Sequence, residues 1–196
     1  MKKKIAVLFP GIGYHTDKPL LYYSKKLARK REYEIVEVKY GTLPTGVKGN
    51  AEKMRKAFEL AFTYAAEQLA GINFTAYDEV LFISKSVGTA VAAAYANKFA
   101  IFPRQIYYTP VVESFDAIGQ TGIVFHGTAD PWADTKDITE GCKKLNLPLI
   151  LTDEGNHSLE TGDTLKDLEN LQQIIGLLFN SLDKQTPAKR YDILYL

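Results

Sequence analysis

Apolar residues fall along this chain in short unbroken runs, separated by segments with helical spacing. Lys4–Phe9 carries Ile5-Ala6-Val7-Leu8-Phe9, and Asp78–Ser84 carries Val80-Leu81-Phe82-Ile83. Short continuous runs bounded by turn residues read as buried strands. Arg104–Thr109, Gly122–His126 and Leu147–Leu151 supply three more, and Tyr33–Tyr40 one in which apolar and polar positions alternate. Between them, Lys18–Lys30 sets Leu20, Leu21, Tyr23 and Leu27 at helical spacing. Asn50 is placed to cap a long helix that runs to Leu69 and ends before Gly71. Val87–Phe99 is Ala-rich and helical, and Asp134–Leu145 and Thr161–Leu182 read as two further helices. Strands alternating with helices predict βαβ units and a mostly parallel sheet. Continuous apolar strands imply that both faces of the sheet are covered. The expectation is an α/β fold, a three-layer α/β/α sandwich with about six core strands. It forms one domain over residues 1–196, with 185–196 as a peripheral tail. Arg190–Leu196 within that tail either adds a strand or packs as a separate segment.

Composition narrows the function classes. At 46% hydrophobic and 24% charged residues the chain is an ordinary globular sequence, which excludes disorder as its main state. Lys and Arg number 24 against 23 Asp and Glu, so the net charge of +1 exerts no long-range pull on nucleic acid or anionic membrane. The lone Cys142 forms no internal disulfide or cysteine-rich metal site and reads as a passive helix residue. The scattered His and Asp residues lack ligand spacing, so no metal and no other cofactor is expected. The basic start Met1–Lys4 precedes an apolar run that stops at Pro10, shorter than the roughly 7–15 residues of a signal-peptide core. No run reaches the roughly 18–20 apolar residues of a membrane span. These features predict a cytoplasmic protein. Gly41–Asn50, rich in turn residues, reads as a surface loop.

The candidate chemistry starts at Ile83-Ser84-Lys85-Ser86-Val87-Gly88, where an apolar strand gives way to an Ala-rich helix. A serine in that turn stands on a sharp exposed corner, with small residues, Ser84 and Gly88, two positions to either side. A plain helix cap is the alternative. Downstream, the strand Gly122–His126 runs into Gly127-Thr128-Ala129-Asp130-Pro131. The next strand, Leu147–Leu151, leads into Thr152-Asp153-Glu154-Gly155-Asn156-His157-Ser158. The first strand ends in Pro10-Gly11-Ile12-Gly13-Tyr14-His15. There Thr16 breaks the dinucleotide fingerprint G-x-G-x-x-G, and no Walker A loop occurs.

Taken together these segments resemble the α/β-hydrolase superfamily over nearly the whole chain. The elbow is similar to G-x-S-x-G, departing from it at Ser84, and an acid and then a histidine follow in the superfamily's chain order. The resemblance implies Ser86 as nucleophile, His157 as general base and acid, and Asp130 as the carboxylate that orients the ring. Asp134, Glu113 and Asp116 remain alternative acids, while Asp153 and Glu154 lie too near His157 in sequence and are expected to face solvent. The backbone N–H of Val87 and that of Ile12, or of Gly13 beside it, are implied as the oxyanion hole. Gly13, Tyr14, His15, Tyr108 and Trp132 are candidate pocket-lining residues. His15 is equally a loop histidine, Trp132 a cover for the sheet edge, and Tyr107–Tyr108 strand packing. His126 is expected to shape the Asp130 loop by a structural hydrogen bond. Only Pro110–Thr121 separates the two strands between which larger members insert a cap, so a cap-less form similar in size to small carboxylesterases is implied. A serine at the elbow argues against the epoxide-hydrolase and haloalkane-dehalogenase members, which attack with a carboxylate.

The implied activity is hydrolysis of small-molecule carboxylic esters or thioesters through an acyl-enzyme, with no nucleic-acid or membrane partner. Homodimer formation through the C-terminal tail stays open. A catalytically silent binding module of the same fold, or a peptidase or acyltransferase using the same residues, are the alternatives.

Overall fold

A computed structural model describes residues 2–183 and 193–196. The continuous apolar runs become the centre of one sheet. Strand β1 (Lys4–Phe9) lies between β2 (Glu34–Glu37) and β3 (Glu79–Lys85). Beyond β3 come β4 (Arg104–Tyr108), β5 (Ile123–Gly127), β6 (Leu149–Thr152) and β7 (Ile193–Tyr195). All pairings are parallel, with Ala6 opposite Leu81 and Ile83 opposite Ile106.

Side chains alternate across each strand, so each run feeds two cores. Ala6, Leu8, Leu81, Ile83, Ile106 and Tyr108 face helices α1 (Pro19–Lys30) and α5 (Thr164–Asp183), meeting Leu20, Leu21, Ile174 and Leu178. Ile5, Val7, Phe9 and Phe82 face α2 (Ala51–Leu69) and α3 (Val87–Lys98), where Ala61, Ala65, Val91 and Tyr95 pack. Helix α4 (Thr135–Leu145) covers β5 and β6 on this second side through Ile138 and the buried Cys142. The alanines of α3 let the helix lie close to the strands, and Val87–Ala93, Tyr95 and Ala96 are all buried.

Local chemistry sets the helix ends. The Asn50 side chain accepts a hydrogen bond from Lys53 N at 2.9 Å, as the sequence predicts. Asp134, one of the alternative acids, accepts from Lys136 N at 2.8 Å and so caps α4. Helix α1 has no side-chain cap from Lys18 but has Pro19 in its first turn, and the Tyr14 hydroxyl accepts from Leu20 N at 3.1 Å.

The sheet has seven strands where about six were expected from the pattern. Ile193–Tyr195 pairs with the outer side of β6, continued by Leu196 N donating to Leu151 O at 2.8 Å and Asp153 N to Leu196 O at 3.2 Å. These bonds occupy ladder positions that β6 would otherwise leave open at an edge. The remainder of the expected tail element, residues 190–192, lies outside the described residues, as do 185–189 of the tail. Among the described residues no helix is long and apolar enough to cross a membrane.

An all-parallel sheet gathers the C-terminal ends of its strands on one edge, where ligand sites of such folds form. The loops after β1, β3, β5 and β6 all leave from that edge, and they carry Ile12, Ser86, Asp130 and His157.

Candidate active site

Strand β3 ends at Lys85 and α3 begins at Val87, which leaves Ser86 alone to make the reversal. Its backbone sits at φ 55°, ψ −127°, a region that a residue with a side chain adopts only under constraint. Three contacts provide the constraint. Ser86 N donates to Tyr108 O at 3.0 Å, and Thr89 N and its hydroxyl donate to Ser86 O at 2.9 and 2.6 Å. Thr89 Oγ1 also lies 2.7 Å from Ser114 Oγ, which ties the elbow to the segment after β4. Glycine is required at position 88, because a Cβ there meets Phe9 O and Pro10 O at 2.4 Å. The departure at Ser84 is accommodated: the side chain is buried and donates its hydroxyl to Ile106 O at 2.9 Å. Gly88→Ala is therefore expected to cost about 3 kcal/mol of stability through overpacking against rigid backbone. A thermal melt of the variant beside the parent checks this.

The other two loops are brought together by a second close approach. A Cβ on Gly127 meets Gly155 O at 2.1 Å, and Ala129 N donates to Gly155 O at 2.9 Å. This contact presses the loop after β5 onto the loop after β6. It leaves Asp130 Oδ2 2.7 Å from His157 Nδ1, and His157 Nε2 2.8 Å from Ser86 Oγ. The second carboxylate oxygen accepts from Trp132 N at 2.9 Å. Thr109 Oγ1 donates to His157 O at 3.1 Å and holds the loop from beneath.

The Asp130 side chain is fully buried, while that of His157 keeps 18% of its surface open. Burial would raise the Asp130 carboxyl, but its hydrogen bond from His157 and the charges around it hold it below the usual carboxylate value. Burial lowers the pKa of the His157 imidazole. The Asp130 hydrogen bond opposes this, while the Lys85 and Lys48 charges add to it. The ring thus stays neutral, able to accept a proton, at a lower pH than a free histidine.

The remaining candidates divide clearly. Trp132 stacks on the His157 ring, with centroids 5.3 Å apart and planes at 28°, so it walls the site rather than only covering the sheet edge. His126 is buried, with Nε2 3.1 Å from Thr135 Oγ1 and Nδ1 3.8 Å from Asp130 Oδ2, a position that supports the Asp130 loop without hydrogen-bonding the carboxylate. His15 is 67% exposed, and its Nδ1 accepts from Asp17 N at 3.3 Å. Tyr108 lies wholly in the core against Phe125, its hydroxyl 2.9 Å from Ser24 Oγ. Register explains this: Tyr108 shares its strand face with Ile106 and points at α1. Tyr14 is buried too, its hydroxyl used by α1. Glu113 and Asp116 are exposed beyond β4, and Asp153 and Glu154 are exposed as expected.

Gly11 and Tyr14 exchange N–H···O bonds of 3.1 and 3.3 Å, which puts Ile12 and Gly13 at the tip of a tight turn beside Ser86, with Gly13 at φ 70°. The Ile12 and Gly13 N–H groups donate to no described backbone carbonyl. The Val87 N–H opens α3, where a helix has no internal acceptor for it.

Two contributors were not evident in the sequence. Lys85 is fully buried, and its Nζ has no hydrogen-bond partner among the described residues and lies 5.0 Å from the centroid of the Tyr14 ring. Burial pushes its pKa down to about 7, with Asp130 opposing. Lys48, in the loop read as mere surface, sits 5.7 Å from the Trp132 ring centroid. Among the described residues no cluster of His, Cys, Asp and Glu is gathered to hold a metal ion.

The sequence matches no family profile and no curated protein. Solved structures do match. An α/β serine hydrolase without a lid from Xanthomonas campestris is 14% identical, with TM-score 0.63, covering 96% of this chain and 84% of that one. The esterase Est1E from Butyrivibrio proteoclasticus, in a structure with ferulic acid bound, is 11% identical, with TM-score 0.64 and coverage of 93% and 91%. The esterase Pf2001 from Pyrococcus furiosus is 11% identical, with TM-score 0.62 and coverage of 91% and 83%. The chain has the α/β-hydrolase fold in its cap-less form.

Proposed function

We propose that this protein is a serine hydrolase that cleaves small carboxylic esters or thioesters through an acyl-enzyme intermediate. The observation that carries the reading is the unbroken relay from Ser86 Oγ to His157 Nε2 at 2.8 Å and from His157 Nδ1 to Asp130 Oδ2 at 2.7 Å. A serine hydroxyl is a poor nucleophile until a base takes its proton as it attacks. His157 accepts that proton at Nε2 while Oγ bonds to the carbonyl carbon. Asp130 keeps the other ring proton on Nδ1 and stabilises the imidazolium. The carbonyl electron pair moves onto oxygen, which is met by the N–H groups of Val87 and Ile12; each donor of this kind is worth about 10²–10³ in rate. Collapse expels the alcohol or thiol, which leaves with the proton from Nε2. Water then repeats the sequence, regenerating Ser86 and releasing the acid. No cofactor takes part in these steps, and the cap-less site gives water ready access.

A panel of p-nitrophenyl esters, acyl thioesters and peptide p-nitroanilides tests the substrate class. Turnover of the first two with the anilides untouched is the expected result; cleavage of the anilides alone replaces the esterase reading with a peptidase one.

The pH profile has a definite sign. Only neutral His157 can accept the serine proton, and its lowered pKa places the acid limb of kcat/KM below pH 6.5, the ordinary histidine value. With a pKa of about 7, Lys85 is already protonated where His157 begins to protonate, so the two charges oppose each other. Lys85→Met removes that opposition, and the acid limb is expected to move to higher pH. A limb that stays in place would assign the depression of the His157 pKa to burial and the Lys48 charge.

A further inference from the structure

Between the first turns of α2 and α3 and the segment after β4 lies a cavity of about 410 Å³ that none of the roles above employs. Its floor is apolar, made by Met54 and Phe58 of α2, Val87 and Ala90 of α3, and Val111. Charged groups are confined to the exposed residues Arg55, Glu113 and Asp116. Arg55 Nη1 lies 4.0 Å from Glu59 Oε1, and two carboxylates face one guanidinium in this part of the lining. The volume falls in the range of small-molecule pockets, roughly 300–1,000 Å³, and exceeds the roughly 150 Å³ that suffices for benzene in an apolar cavity.

Position assigns its use. Val87 directly follows Ser86, and Val111 lies two residues past Thr109, whose hydroxyl holds the His157 loop. The residue that follows the reacting serine in the chain thus forms part of the cavity wall. No residue of the Asp130 or His157 loops lines it, so it extends away from the base. The leaving oxygen or sulfur must stand beside His157 Nε2 to receive its proton, which puts the alcohol or thiol on the Trp132 side. The acyl group then points the other way, past Val87.

We propose that this cavity is the acyl-binding subsite and that it selects esters and thioesters of uncharged, apolar acids of medium length. The assignment rests on the hydrolase reading above. An acetyl group leaves the floor formed by Met54, Phe58 and Ala90 unfilled, whereas an octanoyl chain covers it. A chain ending in its own carboxylate is repelled by Glu113 and Asp116.

The chain contains two methionines, Met1 and Met54, so a protein labelled at its methionine methyl groups reports directly on the cavity. Titration with 2-nonanone, a ketone that offers the same acyl chain and cannot be hydrolysed, is expected to move the Met54 methyl resonance saturably. Acetone is expected to leave it in place. Ala90→Phe fills the cavity and should abolish the shift. The same variant should lower the ratio of kcat/KM for p-nitrophenyl octanoate over acetate about tenfold or more, with Ser86 still labelled by a fluorophosphonate. Ala90→Leu serves if the larger ring prevents folding. A Met54 resonance indifferent to 2-nonanone, or a shift that survives in the filled variant, overturns the pocket. An unchanged octanoate-to-acetate ratio with labelling intact overturns the acyl assignment and leaves the hydrolase reading standing. A parent that is neither labelled nor active on either ester overturns that reading and the acyl assignment with it, while the methyl titration still decides whether the cavity binds.

Discussion

Ser86→Ala is expected to lower kcat for ester hydrolysis on the order of 10⁶-fold, with His157→Ala about as severe and the double variant no worse than either. The two side chains form one device. Without the hydroxyl there is nothing to acylate, and without the imidazole the hydroxyl keeps its proton. Non-additivity is the informative part of the result, because two independent contributions would multiply. Stability should change little in Ser86→Ala: the loss is one hydroxyl, bonded to His157, at a corner held by backbone contacts from Tyr108 and Thr89. Steady-state kinetics of the three variants, with circular dichroism to show retained folding, measures both points.

Asp130→Asn is expected to lower kcat about 10⁴-fold at neutral pH with the fold intact. An amide fits the same space but can turn a donor toward His157 Nδ1, which then accepts, and the ring proton moves to Nε2. That nitrogen can no longer take the proton from Ser86. The imidazolium also loses the buried charge that stabilises it. Because the carboxylate helps hold up the His157 pKa against burial, the activity that remains should keep its acid limb at a lower pH than the parent. A pH–rate profile of Asp130→Asn separates this from a simple folding defect. The competing acids make contrasting controls. Asp134 is occupied in capping α4, and Glu113 and Asp116 lie on the exposed segment after β4. Their amide variants should retain nearly full kcat on p-nitrophenyl acetate.

Much of this arrangement was legible in the linear chain because parallel strands advertise themselves. β1 and β3 are continuous apolar runs, and the turns that end them carry glycine and serine at the sheet edge where loops converge. The chain order serine, acid, histidine led to Ser86, Asp130 and His157, and His157 lies within hydrogen-bond distance of both the others. Features set by distant packing were not legible. Tyr108 looks like a rim residue in sequence, yet strand alternation sends it into the core to meet Ser24. His15 stands next to the Gly11–Tyr14 turn but projects to solvent beside Asp17. Lys85 sits between two serines like any polar turn residue, and only the packing of the Tyr14 turn over it makes it a buried amine. β7 is three residues long and is recruited by the open side of β6, a pairing that local pattern does not encode. The cavity beside Val87 needs α2, α3 and the segment after β4 together, so no single stretch of sequence contains it.

The central claim is that Ser86 is activated by His157. Labelling with a fluorophosphonate, followed by mapping of the modified peptide, tests this without knowledge of the substrate. The account predicts one phosphonylated residue, Ser86, in the parent and no labelling in Ser86→Ala or His157→Ala. A folded parent that fails to label, or a His157→Ala variant that labels as fast as the parent, would contradict it.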